Sequence, residues 1–201
     1  MTNRREFLHA AAAAVPAAAL APGFTGATHT CLRPRDGTRA VLAALIDPRH
    51  PESRALARYF AIMGESVHEL PQGDITPVWR EHLLPAWRRE PIAVVGLTSP
   101  SALFCLEMLS ASHGLRVAFH AEHIVHSDGH TEHSLLRGAA ARVSARDLQR
   151  ADSRWPATIA RALADYPLRS NRPLRGPSDA ALDPALPAGA KLVTSWIIAA
   201  A

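Results

Sequence analysis

The chain of 201 residues lacks the short motifs by which cofactor-dependent chemistry is usually recognised. No Gly-x-Gly-x-x-Gly sequence follows its first apolar run and no Gly-Lys-Ser/Thr loop occurs, which argues against a dinucleotide or nucleotide cofactor. A Gly-x-Ser-x-Gly sequence is also missing. The nearest string, residues 96–101, lacks the second glycine that lets a nucleophilic serine sit on a strained turn.

Lysine and cysteine are scarce as well. Lys191 is the only lysine among 22 basic residues, and the arginines are scattered along the chain rather than clustered in a stripe. The formal net charge of +4 therefore does not indicate nucleic-acid binding. The two cysteines are Cys31 and Cys105. Because Cys105 lies in the apolar run 103–106, we expect a buried, unreactive thiol and no disulfide.

The first 27 residues have an organisation of their own. A charged start is followed by an alanine-rich stretch at 10–21 and by small residues, and the leading signature consists of Arg4, Arg5, Phe7 and Leu8. This order resembles a twin-arginine export signal, and the apolar stretch is too short to cross a bilayer. The resemblance implies recognition by the export translocase, transport of the folded protein to the periplasm, and no stable membrane span after processing.

Removal of such a signal would leave about 174 residues, an ordinary length for one domain with a sizeable core. We therefore predict a single α/β domain at 28–201. Within it, residues 28–38 form a polar leader, and residues 167–190 form a proline-rich segment without clear periodicity.

Strand and helix patterns alternate through the first 115 residues. Such alternation favours a parallel sheet flanked by helices. Predicted strands cover residues 39–46, 66–70 and 91–97, and predicted helices begin at Pro51, Thr76 and Ser99, the second of them interrupted by Pro85.

The second half of the chain adds elements of a different kind. Residues 115–126 and 130–136 read as two strands joined by a tight turn at Asp128-Gly129. Ser144 and Pro156 open two helices, and residues 192–198 form a last strand. The whole pattern predicts a three-layer α/β/α sandwich whose mostly parallel sheet carries an added antiparallel hairpin and a C-terminal strand.

Polar residues follow the predicted parallel strands, at the edge where open α/β sheets bind ligands. The predicted ligand-binding set is Asp47, Arg49, His50, Thr98, Ser99 and Ser101, with Gln72 and Asp74 after the second strand. A carboxylate, an imidazole and a hydroxyl from Asp47, His50 and Ser99 are the candidate catalytic groups of a hydrolase. Each also has a structural explanation, because Asp47-Pro48 is a common strand exit and Ser99 can cap a helix.

A histidine cluster is the sharpest local anomaly. Five of the eleven histidines fall within fourteen residues, at positions 120, 123, 126, 130 and 133. A two-residue turn would place His133 opposite Ile124 and bring one set of side chains to a single face. That candidate metal site for Zn, Cu or Ni consists of His120, Glu122, His126 and His133. A solvent-facing polar hairpin and a pH-sensitive surface are the alternatives.

These observations leave three functions open. The first is an exported accessory or ligand-binding protein, the partner of an exported oxidoreductase, and it is favoured because folded export often serves cofactor-loaded enzymes and their companions. The second is a periplasmic hydrolase or metal-dependent enzyme that uses the strand-end residues. The third is a metal-binding protein that uses the hairpin histidines.

Overall fold

The computed structural model describes residues 41–137, 143–167 and 186–200, and the side chains from residue 43 onward. The predicted export signal, the leader at 28–38 and most of the proline-rich segment lie outside the described residues. Cys31 lies outside them too. The description below concerns the α/β core that remains.

A six-stranded mixed sheet forms the centre of the fold. Its spatial order is β2-β1-β3-β6-β4-β5. Strand β1 pairs in parallel with β2 and β3, whereas β6 runs antiparallel to β3 and β4, and β4 runs antiparallel to β5. The strands are β1 Val41–Ile46, β2 Ser66–Glu69, β3 Ala93–Thr98, β4 Leu115–Val125, β5 Thr131–Arg137 and β6 Lys191–Ala200.

The predicted α/β class is confirmed, but the predicted mostly parallel sheet is wrong, because three of the five strand pairs are antiparallel. The cause is the position of β6. We expected it as an addition to a parallel sheet, yet it pairs on both sides, with β3 and with β4. Its residues 193–199 are accordingly all buried.

The helices follow the predicted order. Helix α1 buries Leu56 and Phe60 one turn apart, and a capping box of Ser144 and Asp147 opens α5. Pro85 does not break its helix, because a wider π-helical turn just before it absorbs the irregularity. The helices are α1 Ser53–Ile62, α2 Thr76–Val78, the π-helical turn Trp79–Leu83, α3 Leu84–Trp87, α4 Pro100–Ala111, α5 Ala145–Ala151 and α6 Trp155–Ala164.

Alternate strand residues supply two separate hydrophobic clusters. Ala44 and Ile46 of β1 join a cluster with α1, α5 and α6, whereas Ala43 and Leu45 join a second cluster with α4 and residues 78–87. In β4, an irregularity between Val117 and Phe119 moves the strand's buried side chains from the second cluster to the first. Both faces of the sheet are therefore apolar.

Gly96 permits a close contact at the centre of the sheet. It is paired with Trp196 of β6, and a Cβ atom at position 96 would lie 2.2 Å from the indole ring. The indole Nε1 donates a hydrogen bond of 3.0 Å to the Thr98 hydroxyl. The bare glycine thus lets the largest fully buried side chain lie across β3.

Helix α4 differs from expectation in its outer face. The prediction of a buried Cys105 thiol is wrong: the thiol is free and exposed, and Phe104 and Met108 beside it are each 64% exposed. Leu103 and Leu106 supply the buried face instead. Among the helices of the described residues, none combines the length and the apolar character that a membrane crossing requires.

Candidate functional site

The topology singles out the edge where β1 and β3 end. These parallel neighbours are followed by helices on opposite sides of the sheet, since α1 belongs to the first hydrophobic cluster and α4 to the second. In doubly wound sheets, connections that diverge in this way mark the position at which a ligand-binding crevice is expected, between the two strand ends. Asp47 follows β1 directly, and its amide donates to the carbonyl oxygen of Leu97 in β3, at 3.4 Å.

Asp47 is completely buried and is held by Arg49. The guanidinium donates from Nε to Oδ1 at 3.0 Å and from Nη2 to Oδ2 at 2.6 Å, and the Arg49 amide adds a bond of 3.1 Å to Oδ1. Burial by itself would raise the pKa of Asp47, but these hydrogen bonds and the nearby positive charge hold the pKa below its usual value. The carboxylate is therefore ionised and already paired.

Gly73, in the loop after β2, covers this ion pair. It has a φ of +80°, and a Cβ atom there would lie 1.9 Å from Nη2 of Arg49 and 3.2 Å from Oδ2 of Asp47. Only a glycine lets the backbone adopt this conformation easily and approach the guanidinium so closely. The loop thereby fixes the position of Arg49, whose side chain remains 51% exposed.

His50 is the unusual member of the group. Its side chain is only 12% exposed, and its Nε2 lies 3.6 Å from Oδ2 of Asp47, too far for a hydrogen bond. Both ring nitrogens are buried, and neither has a hydrogen-bond partner among the residues that the structure describes. Burial lowers the pKa of His50, an effect that the Asp47 charge only partly opposes, so the ring is neutral at pH 7.

The turn that carries His50 is rigidly built. The buried Ser53 hydroxyl lies 2.9 Å from the carbonyl oxygen of Asp47 and 2.7 Å from that of His50, and it donates to them. The turn therefore holds His50 in place without using either of its ring nitrogens.

The polar side chains that follow β3 form most of their hydrogen bonds with one another or with the core. The buried Thr98 hydroxyl donates to the carbonyl oxygen of Ser99 at 3.1 Å and accepts from Trp196, so it serves the scaffold. The exposed hydroxyls of Ser99 and Ser101 bond to each other at 3.0 Å. Because the His50 ring forms no hydrogen bond to Asp47, to Ser99 or to any other described residue, the relay of Asp47, His50 and Ser99 that a hydrolase would need is not formed.

The loop after β2 contributes a neighbouring cleft. Asp74 accepts a 2.8 Å hydrogen bond from the amide of Thr76, which lowers the pKa of Asp74 and secures the start of α2. Gln72, the other predicted residue, has a φ of 54°, in the left-handed region. The open cleft has a volume of about 380 Å³ and is lined by Asp74, Thr76, Pro77, Arg80 and Glu81.

The predicted register of the hairpin between β4 and β5 is wrong by one position. Its loop has three residues, 127–129, because the His126 amide donates to the carbonyl oxygen of His130 and Gly129 adopts a φ of +89°. His133 therefore pairs with His123 and not with Ile124. A glycine in the left-handed conformation ends such three-residue loops as readily as it forms the two-residue turn that we assumed.

This register separates the predicted metal ligands. His133 shares the face of its partner His123, whereas Glu122 and His120 face the other side of β4. His126 bonds through Nε2 to Glu132 at 2.8 Å. The set of His120, Glu122, His126 and His133 is thus not assembled, and within residues 41–137, 143–167 and 186–200 no three or more His, Cys, Asp or Glu side chains are placed to hold a metal ion.

The register instead creates a hydrogen-bonded chain that we did not predict. Nδ1 of His123 lies 2.8 Å from Nδ1 of His133, and Nε2 of His123 lies 2.8 Å from the hydroxyl of Ser195 in β6. Trp155 covers both rings, with centroid distances of 4.4 and 5.1 Å. Burial lowers the pKa of His123 well below its usual value and that of His133 to about 4.

Ser195 and His123 are both completely buried. The chain of Ser195, His123 and His133 therefore has no solvent-exposed nucleophile and satisfies its own polar groups inside the core. A hint of it exists in the sequence, where Ser195 interrupts the apolar run of β6, but the pairing of β6 with β4 is needed to bring it to His123.

Comparisons of the chain with models of protein families, with curated proteins and with solved structures find no significant match to any of them.

Proposed function

We propose that this protein is exported to the periplasm and binds a small ligand there, in the crevice between the carboxyl ends of β1 and β3, as the accessory or partner of an exported enzyme. The observation that carries the proposal is the imidazole of His50, whose two buried nitrogens find no hydrogen-bond partner within residues 41–137, 143–167 and 186–200. Helices pack against both faces of the sheet next to this position. We therefore also propose that the domain is a three-layer α/β/α sandwich.

An unpartnered buried ring is energetically unfavourable. A neutral imidazole has one donor and one acceptor nitrogen, and leaving a buried polar group unsatisfied costs about 1–3 kcal/mol. The buried His123 uses both of its nitrogens, and in the described part of the chain Nε2 of His120 is the only other buried side-chain nitrogen without a partner. A ligand that bonds to His50 would recover the lost hydrogen-bond energy, and this gain favours binding at the position where the topology provides a crevice.

The surrounding groups favour binding over hydrolysis. The carboxylate of Asp47 is engaged by Arg49 and does not orient the His50 ring through a hydrogen bond. The Ser99 hydroxyl bonds to Ser101, so no activated nucleophile faces the crevice. A binding site, in contrast, needs only fixed polar groups that await a partner, and Arg49 and His50 are such groups.

Export rests on the resemblance of Arg4, Arg5, Phe7 and Leu8 to a twin-arginine signal. We expect a reporter fused behind residue 27 to reach the periplasm. Replacement of both arginines by lysine should retain the reporter in the cytoplasm, while Arg33→Lys and Arg35→Lys together, in a reporter fused behind residue 40, serve as the matched control. A reporter that is still exported after Arg4→Lys and Arg5→Lys would refute this part of the proposal.

Ligand binding can be tested without knowing the ligand. Protein isolated from the periplasm under native conditions should carry a small molecule in native mass spectrometry, and denaturation should release it. The His50→Phe variant, which keeps an aromatic ring but lacks the ring nitrogens, should carry much less of it. Wild-type protein with no bound molecule, and with no thermal stabilisation by an extract of periplasmic metabolites, would contradict the proposal.

A further inference from the structure

Arg49 presents a second edge that forms no hydrogen bond to another described residue. Asp47 takes the Nε and Nη2 side of the guanidinium, which leaves Nη1 and the outer hydrogen of Nη2 as a parallel pair of donors. The side chain is 51% exposed, while Gly73 and the buried Asp47 hold it in position. Two parallel N–H groups on a fixed guanidinium match the two oxygens of a carboxylate.

The local charge limits the ligand to a small negative charge. His50 senses four ionised neighbours, namely Asp47, Arg49, Glu52 and Lys191. Their charges cancel in two ion pairs, Asp47 with Arg49 and Glu52 with Lys191. A site that is neutral overall accommodates a single carboxylate at Arg49, whereas a phosphate ester with two charges would need further positive groups.

The distance between Arg49 and His50 limits the size of the ligand. Nη2 of Arg49 and Nε2 of His50 lie 2.6 and 3.6 Å from the same oxygen of Asp47, so the two nitrogens are no more than about 6 Å apart. One small molecule can therefore contact both. An oxygen one carbon away from a carboxylate lies at a suitable separation, and a hydroxyl suits Nε2 in either tautomer because it both donates and accepts.

Building on the proposed function, we infer that the ligand is a small hydroxycarboxylate, whose carboxylate binds to the free edge of Arg49 and whose hydroxyl bonds to Nε2 of His50. Arg49 selects a ligand with a negative group. His50 distinguishes a ligand that carries the hydroxyl from one that has a hydrogen atom in its place. The carboxylate meets the exposed guanidinium directly, whereas the hydroxyl reaches Nε2 of His50 only after the residues that cover this buried nitrogen move aside.

Calorimetric titration of the exported, processed protein with three related probes tests this inference. Glycolate carries both groups, acetate lacks the hydroxyl and glycolamide lacks the negative charge. We expect glycolate to bind at least ten-fold more tightly than acetate, and glycolamide to show no binding. Equal affinities for glycolate and acetate, or binding of glycolamide as tight as that of glycolate, would overturn the inference.

Two variants separate the roles of the residues. His50→Phe should keep acetate binding and reduce the preference for glycolate to about one-fold. Arg49→Lys, which keeps the charge but loses the paired donors, should weaken glycolate and acetate binding together by at least ten-fold, and Arg54→Lys on the exposed side of α1 should change neither. If Arg49→Lys does not fold, the three wild-type affinities decide the matter alone.

Failure of the inference can be distinguished from failure of the proposed function. A co-purified molecule that depends on His50 but contains no hydroxycarboxylate would overturn the inference and leave the binding function standing. Protein that carries no small molecule and binds none of the probes would refute both.

Discussion

His50 and His123 are both buried imidazoles, yet the protein treats them in opposite ways. His123 bonds to Ser195 on one side and to His133 on the other, whereas the His50 ring forms no hydrogen bond to the described part of the chain. Burial lowers the pKa of both rings, so desolvation alone does not distinguish them. The difference lies in hydrogen bonding: both nitrogens of His123 have partners, and those of His50 have none among the described residues.

The comparison also explains why the hairpin histidines do not form the metal site that we predicted. The sequence drew attention to the hairpin because five histidines crowd there, but the folded hairpin uses His123 and His133 to join β4, β5 and β6. His50, the single histidine after β1, has fewer histidines near it, and both of its ring nitrogens lack a hydrogen-bond partner among the described residues. The number of polar residues in a segment is therefore a poorer guide to a site than the number left without partners.

The largest expected effect is on the stability of the His123 site. His123→Phe would leave the Ser195 hydroxyl and Nδ1 of His133 without partners, so we expect a loss of about 3 kcal/mol in the free energy of unfolding. His50→Phe removes only unpartnered nitrogens and should leave stability unchanged or raise it by up to about 1 kcal/mol. Urea denaturation of both variants measures the difference.

Adding Ser195→Ala to the His123→Phe variant sharpens this test. The double variant no longer contains the stranded hydroxyl and should regain about 1 kcal/mol. Equal destabilisation by His123→Phe and His50→Phe would remove the basis of the comparison.

The next effect is on the pH dependence of stability. The pKa of His133 is lowered to about 4 in the folded protein, and the usual value of about 6.5 applies when the chain is unfolded. Between these values the unfolded state binds more protons, so stability is full above pH 6.5 and falls as the pH decreases toward 4. Allowing for partial exposure, we expect His133 to account for a loss on the order of 2 kcal/mol.

Unfolding curves at pH 7.5, 6 and 4.5 measure this loss. His133→Gln should flatten the dependence, and the part that remains is expected from His123, whose pKa is also lowered by burial. The Asp47 carboxyl does not contribute in this range, because its pKa is lowered and its stabilising contribution is lost only below about pH 4. An unchanged slope in His133→Gln would show that His133 is not a source of the pH dependence.

A pair of glycines tests the rigidity of the crevice. Gly73 and Gly64 share a φ of +80°, but only Gly73 faces other atoms, those of Arg49 and Asp47. Alanine at either position should cost about 1 kcal/mol for the backbone conformation. Gly73→Ala must also displace the guanidinium from a buried carboxylate, so thermal or urea unfolding should show a further loss of about 1–2 kcal/mol. Equal losses would mean that Arg49 moves aside freely.

The smallest effect concerns the ion pair beside His50. Lys191 lowers the pKa of His50 and Glu52 raises it, and their 3.1 Å contact is partly exposed. Lys191→Gln should therefore raise the pKa of His50 and Glu52→Gln should lower it, with less than about 1 kcal/mol lost in either variant. NMR titration of the ring protons follows both changes, and shifts of the same sign would contradict this account of the crevice electrostatics.

Much of the first half of the fold was predictable because its signals are local. Apolar runs, prolines at helix starts and glycines at helix ends determine β1, α1, β3 and α4, and the strand-end rule then brings Asp47, Arg49 and His50 to one place. The capping box of α5 was equally visible, because Ser144 and Asp147 stand three residues apart.

The remainder depends on contacts that no local pattern records. Nothing in the apolar run of β6 states that it pairs with both β3 and β4, and the antiparallel majority of the sheet follows from that choice. The hairpin register depends on whether Gly129 ends a two-residue or a three-residue loop, and this single position decided which face His133 occupies. The missing partners of His50 are visible only once its neighbours are in place.

The place of β6 between β3 and β4 has a consequence for biosynthesis. Thr194 bonds to Thr98, 96 residues earlier in the chain, so the halves of the sheet stay apart until residues 191–200 have left the ribosome. Closure of the sheet thus waits for a strand made 93 residues after the end of β3, and a nascent chain that has not yet added it must keep the facing edges of β3 and β4 unpaired.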